Sequence, residues 1–446
     1  MLDALVLSER STAAVSHAAA SSQHNLAERA GAWGACLSSG RGTTYALASH
    51  LAVTNTKVRM KALVFHTPKH VSVDNVEDPK IENPRDAILR VTATAICGSD
   101  LHIYNGAFPQ PKPLVLGHEF MGVVEEVGSA VTNLKRGDRV VVPFPIACGE
   151  CWFCEHAAPT QCETSNREHY GPEGALLSQK GGALFGYTDL YGGYSGGQAQ
   201  YARVPFADYG PRRVPDSLSD EQILFLSDIV PTAYSGLRWA ALQPGETVAV
   251  IGCGPVGLMA LKLARIMGAS KTIGVDVQPY RLEMARRTTG AEVVNAADVD
   301  AVDYIRSQTQ GRGTDVVIEA VGMEPERSLL QKLANVAHLQ RGSITAVETA
   351  FSAVRRSGRV SIMGVYGTTY DNFPLGQMID KGLRVQTGQA TVHNFIDELM
   401  EMIVSGKLKA DDIISHRFPL EKAPDGYSIF NKKQDNCTKV VLKPWD

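Results

Sequence analysis

From Met60 onward the apolar and polar positions fall into two textures. Met60–Phe65, Ile88–Thr94, Phe120–Val127 and Asp138–Val142 are short runs rich in β-branched residues, broken by Gly, Pro and Asp, and they predict an all-β segment. Near Ser219 the pattern changes. Val248–Ile251, Lys271–Val277, Asp315–Ala320 and Arg359–Met363 read as strands, and Pro255–Met267 and Pro279–Thr288 as helices between them. Alternating strand and helix predict a parallel, doubly wound sheet. The chain then offers a helical stretch, Phe395–Val404, and strands at Ile414–Phe418 and Lys439–Leu442. Met323–Arg356 is long for one crossover, and its helical texture predicts an inserted helix. Residues 1–59 differ from the rest: they are rich in Ala and Ser, with no sustained period. They are set aside as a disordered extension or the product of an upstream start, with Met60 the natural one. A mitochondrial presequence is the alternative, disfavoured by the acids Asp3, Glu9 and Glu28.

Length sharpens this division. At about 150 residues per domain, the 446 residues hold two or three domains. Lys plus Arg number 44 and Asp plus Glu 47, a net charge of −3, so the basic footprint of a nucleic-acid binder is missing. The longest uncharged apolar stretch, Val248–Leu261, has 14 residues, whereas a membrane span needs about 20. Neither nucleic acid nor membrane is therefore expected as a partner. Of eight cysteines, four crowd into residues 148–162. In a chain of this size with no clear secretory signal, such a cluster points to metal rather than to a disulfide framework.

Gly252-Cys253-Gly254-Pro255-Val256-Gly257 is a GxGxxG pattern. Alone it is weak, but here it follows an apolar strand and opens a helix. Gly252 permits the tight turn, Gly254 the approach of a pyrophosphate, and Gly257 the packing of helix on sheet. The helix N-terminus supplies N–H donors, and Pro255 fits its first turn. Asp276 ends the next strand 19 residues past Gly257, where a carboxylate receives a ribose 2′-hydroxyl and repels a 2′-phosphate. NAD is therefore expected over NADP, although Arg281 nearby could serve a phosphate.

Cys148-x2-Cys151-x2-Cys154-x7-Cys162 suits a closed, four-thiolate structural zinc. An iron–sulfur run begins the same way but continues with x3-Cys-Pro. Here the gap is seven and Glu163 follows. Unligated buried thiols are the third possibility. A second, dispersed group comprises Cys97, in Cys97-Gly98-Ser99-Asp100-Leu101-His102, and His118, in Gly117-His118-Glu119.

The segment Gly117-His118-Glu119-x2-Gly122-x5-Gly128-x2-Val131 matches the signature of zinc-containing alcohol dehydrogenases. From Met60 to Asp446 the chain resembles the zinc-dependent medium-chain family. Leu226-Ser227-Asp228-Ile229-Val230-Pro231-Thr232-Ala233-Tyr234 resembles the branch related to glutathione-independent formaldehyde dehydrogenase. That resemblance implies a GroES-like β-rich catalytic domain, residues 60–220 completed by 393–446, and a Rossmann coenzyme domain, residues 221–392. It implies two zincs per chain and NAD, with Cys97, His118 and Asp228 holding the catalytic zinc and Cys148, Cys151, Cys154 and Cys162 the structural one. Ser99 and His102 would relay the proton from the alcohol through the nicotinamide ribose, and Asp100 would orient His118. Glu119 would stand behind the metal, as a transient ligand or as packing. Thr232 would meet the nicotinamide amide, and Lys439 the pyrophosphate. Many relatives carry a base after the first Cys ligand; here it is Gly98, which leaves the pyrophosphate with less positive charge.

The implied activity is hydride transfer from an alcohol, or a hydrated aldehyde such as that of formaldehyde, to NAD. A dismutase with tightly held NAD is the alternative within that chemistry, and a non-catalytic zinc- and nucleotide-binding protein outside it. The expected setting is a cytoplasmic homodimer or homotetramer. The Gly- and Tyr-rich stretch Cys162–Gly197 is expected to line or cover the substrate pocket. Cys36, Cys253 and Cys437 carry no assigned role.

Overall fold

The structure, a computed structural model, describes residues 59–166, 181–322, 344–367 and 373–446. Residues 1–58 and most of the expected inserted helix, 323–343, lie outside the described residues, as do 167–180 of the Gly- and Tyr-rich stretch.

The β-rich segment forms a seven-stranded sheet. Its backbone order runs Arg212–Arg213, Arg139–Val142, Glu119–Val127, Ala87–Ile96, Val440–Lys443, His416–Pro419, with Tyr201–Val204 also pairing Ala87–Ile96. A three-stranded sheet, His70–Glu77, Arg59–Thr67 and Leu114–Val115, lies with it. The inward positions are apolar, chiefly Val, Leu, Ile, Phe and Ala; Leu89, Val91, Phe120, Val124 and Val140 are fully buried in one cluster. The C-terminal strands belong to this half, since Val440 pairs Ile96 and Val441 pairs Ala95.

The second half is a six-stranded, wholly parallel sheet. Its spatial order is Glu292–Asn295, Lys271–Asp276, Thr247–Ile251, Thr314–Glu319, Val354–Ile362, Arg384–Thr387. Numbered along the chain that is 3-2-1-4-5-6, the doubly wound Rossmann order, and its switch point falls between Thr247–Ile251 and Thr314–Glu319. The helix Pro255–Ile266 starts with Pro at its first position and stops where Gly268 takes φ +92°. Leu258, Met259, Ala260, Leu261, Leu263 and Ala264 are fully buried, because the helix lies against the sheet on one side and the helix Ile229–Trp239 on the other. Removing one such Leu side chain is expected to cost about 2–5 kcal/mol.

The fold is thus the expected GroES-like half joined to a Rossmann half, with local differences. The helix expected at Phe395 starts at Val392. The strand expected at Arg359 starts at Val354, directly after the helix Thr345–Ala353, with a register irregularity between Thr314 and Val316. The last strand runs Val440–Lys443, one residue later than the apolar run suggested.

Candidate active site

Strand pairing assembles the first candidate metal cluster. Ala87–Ile96 and Glu119–Val127 run antiparallel with Ala95 opposite Glu119, so Cys97 and His118, just beyond the paired ends, meet. Asp228 comes from a third segment. It occupies the break between the turn Leu224–Ser227 and the helix Ile229–Trp239, where Thr232 Oγ1 donates to its Oδ1 at 2.7 Å. Cys97 Sγ lies 3.4 Å from Asp228 Oδ2, and His118 Nε2 lies 3.3 Å from the same oxygen. A tetrahedral zinc with bonds of about 2.3 Å to sulfur and about 2.0–2.1 Å to nitrogen and oxygen requires edges of about 3.5 Å and about 3.4 Å. The donor set fits that ion. Burial, with Asp228 and Glu119 nearby, pushes the Cys97 thiol up to about 11, so a bound cation is what would make it a thiolate. Burial works against the Asp228 carboxylate as well, but hydrogen bonding and charge from His118, with Thr232, hold it below the usual range.

Asp100 supports this cluster. Its Oδ1 lies 3.1 Å from His118 Nδ1, and its Oδ2 accepts from the Cys97 backbone N–H at 2.9 Å. Two residues that the sequence did not single out continue the chain of contacts. Gln198 Nε2 donates to Asp100 Oδ2 at 3.3 Å and to the Ala95 carbonyl at 3.0 Å, and Tyr427 Oη donates to Gln198 Oε1 at 2.8 Å. All are buried. Ser99 Oγ sits 3.1 Å from His118 Nε2, and Ser99 and His102 share one face of the helix Gly98–Tyr104.

Glu119 lies within the same 4.8 Å cluster of candidate ligand atoms. The expectation that Lys439 reaches the pyrophosphate is corrected. Its ammonium is fully buried, donates to Glu119 Oε1 at 2.6 Å and to the Ile96 carbonyl at 3.1 Å, and lies 5.4 Å from the Phe225 ring centre. The cause is register. Val440 pairs Ile96, which sets Lys439 beside Cys97 and turns its stem inward to Glu119.

The four-cysteine lobe is equally compact. Cys148–Cys154, Cys151–Cys154 and Cys151–Cys162 sulfurs are 4.0, 3.5 and 3.8 Å apart. Those spacings exclude disulfides, which need about 2.05 Å, and match the roughly 3.8 Å edge of a tetrahedral zinc–thiolate site. Backbone N–H groups of Cys154 and Glu163 overcome burial and draw the Cys151 thiol down to about 7.

The coenzyme crevice opens at the switch point of the parallel sheet. Gly252 has φ +96°, and a Cβ on Gly257 would lie 1.8 Å from the Gly252 carbonyl oxygen, so the turn and the helix can approach only with glycine at both. Asp276 Oδ2 accepts from the Cys253 N–H, and its Oδ1 from Val277 and Gln278 N–H, each at 2.8 Å. Arg281 Nη1 stands 3.8 Å from Asp276 Oδ2 and 3.9 Å from where a Gly254 Cβ would be. A cleft of about 570 Å³ joins this crevice to the metal cluster. Its walls include Cys97, Ser99, His102, His118, Asp228 and Thr232 at one end, and Gly254, Pro255, Val256 and Arg281 at the other. Tyr187 and Tyr191, from the described part of the Gly- and Tyr-rich stretch, also line it; the Tyr187 ring meets the His118 ring edge-on at 6.2 Å. Lys433 lines it too, and no local motif marked that residue.

Comparison with known proteins shows the family to which the chain is similar. Residues 83–215 match the family model for the alcohol dehydrogenase GroES-like domain, and residues 255–340 that for zinc-binding dehydrogenases. An uncharacterized zinc-type alcohol dehydrogenase-like protein of Bacillus subtilis is 45% identical over 389 residues, covering 86% of this chain and 100% of that protein. A glutathione-independent formaldehyde dehydrogenase of Pseudomonas aeruginosa is 33% identical over 397 residues, covering 83% of this chain and 94% of that protein. Among solved structures, an alcohol dehydrogenase from Thermus sp. ATN1 superposes with a TM-score of 0.73 at 39% identity, covering 86% of this chain and 99% of that one.

Proposed function

The chain belongs to the zinc-dependent medium-chain alcohol dehydrogenases, and from that premise we propose that it interconverts a small alcohol, or the hydrate of a small aldehyde such as formaldehyde, with its oxidised product at the expense of NAD. The observation that carries this reading is the single cleft shared by the Cys97–His118–Asp228 cluster and the Gly252–Gly257 turn. Zinc, when bound, supplies Lewis acidity at the substrate oxygen, and the nicotinamide supplies the hydride acceptor.

The protein's own part is binding, orientation and proton handling. Cys97, His118 and Asp228 present three donors on one side and leave the cleft side open. Asp100, held by Gln198, fixes the ring of His118. Ser99 accepts the substrate's hydroxyl proton as it releases its own, and His102, three residues along the helix, is the base that takes up the proton so released. Thr232, tied to Asp228, faces the nicotinamide end. Glu119, paired with Lys439, closes the inner side of the cluster. Phe144, Leu184, Tyr187 and Tyr191 exclude water from the reacting atoms.

The remaining assignments rest on the same reading. Two zincs per chain are supported by two separate clusters of zinc-like spacing. NAD rather than NADP is supported by Asp276 at the turn. Residues 60–220 with 393–446 would form the catalytic domain and 221–392 the coenzyme domain, with Asp228 reaching across that line. Family resemblance supports a cytoplasmic homodimer or homotetramer. Among the described residues, no helix is long and apolar enough to cross a membrane.

The test is a panel of formaldehyde, short alcohols and longer or aromatic alcohols, with NAD+ and NADP+ in parallel. Coenzyme reduction with added NAD+ on at least one alcohol or hydrated aldehyde is expected. Turnover without added coenzyme, with NAD co-purifying, would replace the dehydrogenase by a dismutase, and no turnover on any member would leave the non-catalytic reading.

A further inference from the structure

The coenzyme's pyrophosphate carries two negative charges, and Lys439, the residue expected to meet them, is turned away. Gly98 brings no charge, and Lys439 is buried against Glu119. Among the described residues lining the cleft, the Arg and Lys side chains are Arg281 and Lys433. The Arg281 guanidinium hangs over Gly254, 3.8 Å from Asp276 Oδ2.

Lys433 sits just past the end of the helix Ala423–Lys432, in the left-handed conformation, φ 56° and ψ 38°. The Lys433 N–H bonds the Phe430 carbonyl at 3.2 Å, and the Gln434 N–H bonds the Ile429 carbonyl at 3.0 Å. The second of these is the long-range bond of a Schellman cap, whose left-handed position is usually glycine. A lysine there adopts a backbone that L side chains disfavour. Nor is the turn free to drift. Tyr280, the neighbour of Arg281, donates its hydroxyl to the Cys437 carbonyl at 3.2 Å, which pins residues 433–437 beside the start of the helix Pro279–Thr289. Phe430, one turn earlier, lines the same cleft.

We propose that Lys433, together with Arg281, binds the coenzyme's pyrophosphate in the cleft that both residues line. The proposal rests on the nicotinamide-coenzyme reading above. Lys433 acts on binding and leaves the reacting atoms alone.

Lys433→Gly separates the two roles of this residue, because glycine suits the cap and lacks the ammonium. Thermal unfolding of the coenzyme-free variant is expected at the wild-type temperature or above. Its dissociation constants for NADH and for ADP-ribose, from fluorescence and calorimetric titration, are expected to rise roughly tenfold, as for loss of one charge-assisted phosphate contact. Adenosine, which lacks the pyrophosphate, should bind variant and wild type alike. Lys433→Arg should retain affinity within about threefold. Unchanged NADH and ADP-ribose affinity in the glycine variant would overturn the proposal, as would a loss confined to NADPH, which would assign Lys433 to a 2′-phosphate. Failure of the wild type to bind NADH at all would instead overturn the coenzyme reading beneath it.

Discussion

The ammonium of Lys439 and the carboxylate of Glu119 lie 2.6 Å apart, both with fully buried side chains, against the cluster of Cys97, His118 and Asp228. Burial pulls the ammonium towards neutrality, but Glu119, Cys97 and Asp228 more than offset that and hold it protonated above its ordinary value. Removing one partner leaves a buried charge uncompensated, which costs about 3–5 kcal/mol. Lys439→Met is therefore expected to lower stability by that amount, and Lys439→Met with Glu119→Gln to recover much of it. Denaturant unfolding of the two single variants and the double variant, read as a cycle, checks this. A Lys439→Met protein as stable as wild type would show that the pair does not hold this part of the core.

Asp100 carries a second expectation. It touches His118 on one side and Gln198 on the other. Outer partners of metal-bound histidines typically contribute 10–100-fold in metal affinity. Asp100→Ala should weaken the Cys97–His118–Asp228 site by about that factor while the four-cysteine lobe keeps its zinc. Chelator competition followed by metal analysis reads both sites; equal loss from both would mean that the fold had failed instead.

Tyr427→Phe removes only the hydroxyl that Gln198 Oε1 accepts. A stability loss of roughly 0.5–1.5 kcal/mol is expected, with zinc affinity lowered less than in Asp100→Ala. A larger effect on metal than on stability would place Tyr427 closer to the site than its contacts do.

His393 sets a pH dependence. Its ring stacks on Tyr209 at 5.1 Å, neither ring nitrogen has a hydrogen-bond partner among the described residues, and burial, with Arg212 nearby, draws it down to about 3. The unfolded chain would protonate near 6.5. The unfolded state therefore binds the extra proton between about pH 6.5 and about pH 3, and stability falls as pH falls through that window, by at most roughly 1.4 kcal/mol per unit. His393→Phe should flatten this part of the profile. A profile unchanged by the substitution would assign the acid sensitivity to other groups.

What the chain disclosed before folding was local. Short β-branched runs and the glycine turn before Pro255 depend on residues near one another, and the structure contains them within a few positions. The four-cysteine cluster was legible for the same reason. Asp228 was reached only through resemblance, because its partners lie 131 and 110 residues earlier and meet by strand pairing. Gln198, Tyr427 and Lys433 carry no local signature; their positions follow from tertiary packing. Lys439 was misplaced because a single residue of register at the last strand decides whether its stem points to the cleft or to Glu119.

The most direct test of the central claim is NADH formation from an alcohol or hydrated aldehyde by Cys97→Ala. The account predicts that formation falls to background while the variant keeps its fold and the zinc of the four-cysteine lobe. Coenzyme reduction at the wild-type rate would contradict it, because the Cys97–His118–Asp228 cluster would then not be where the chemistry occurs.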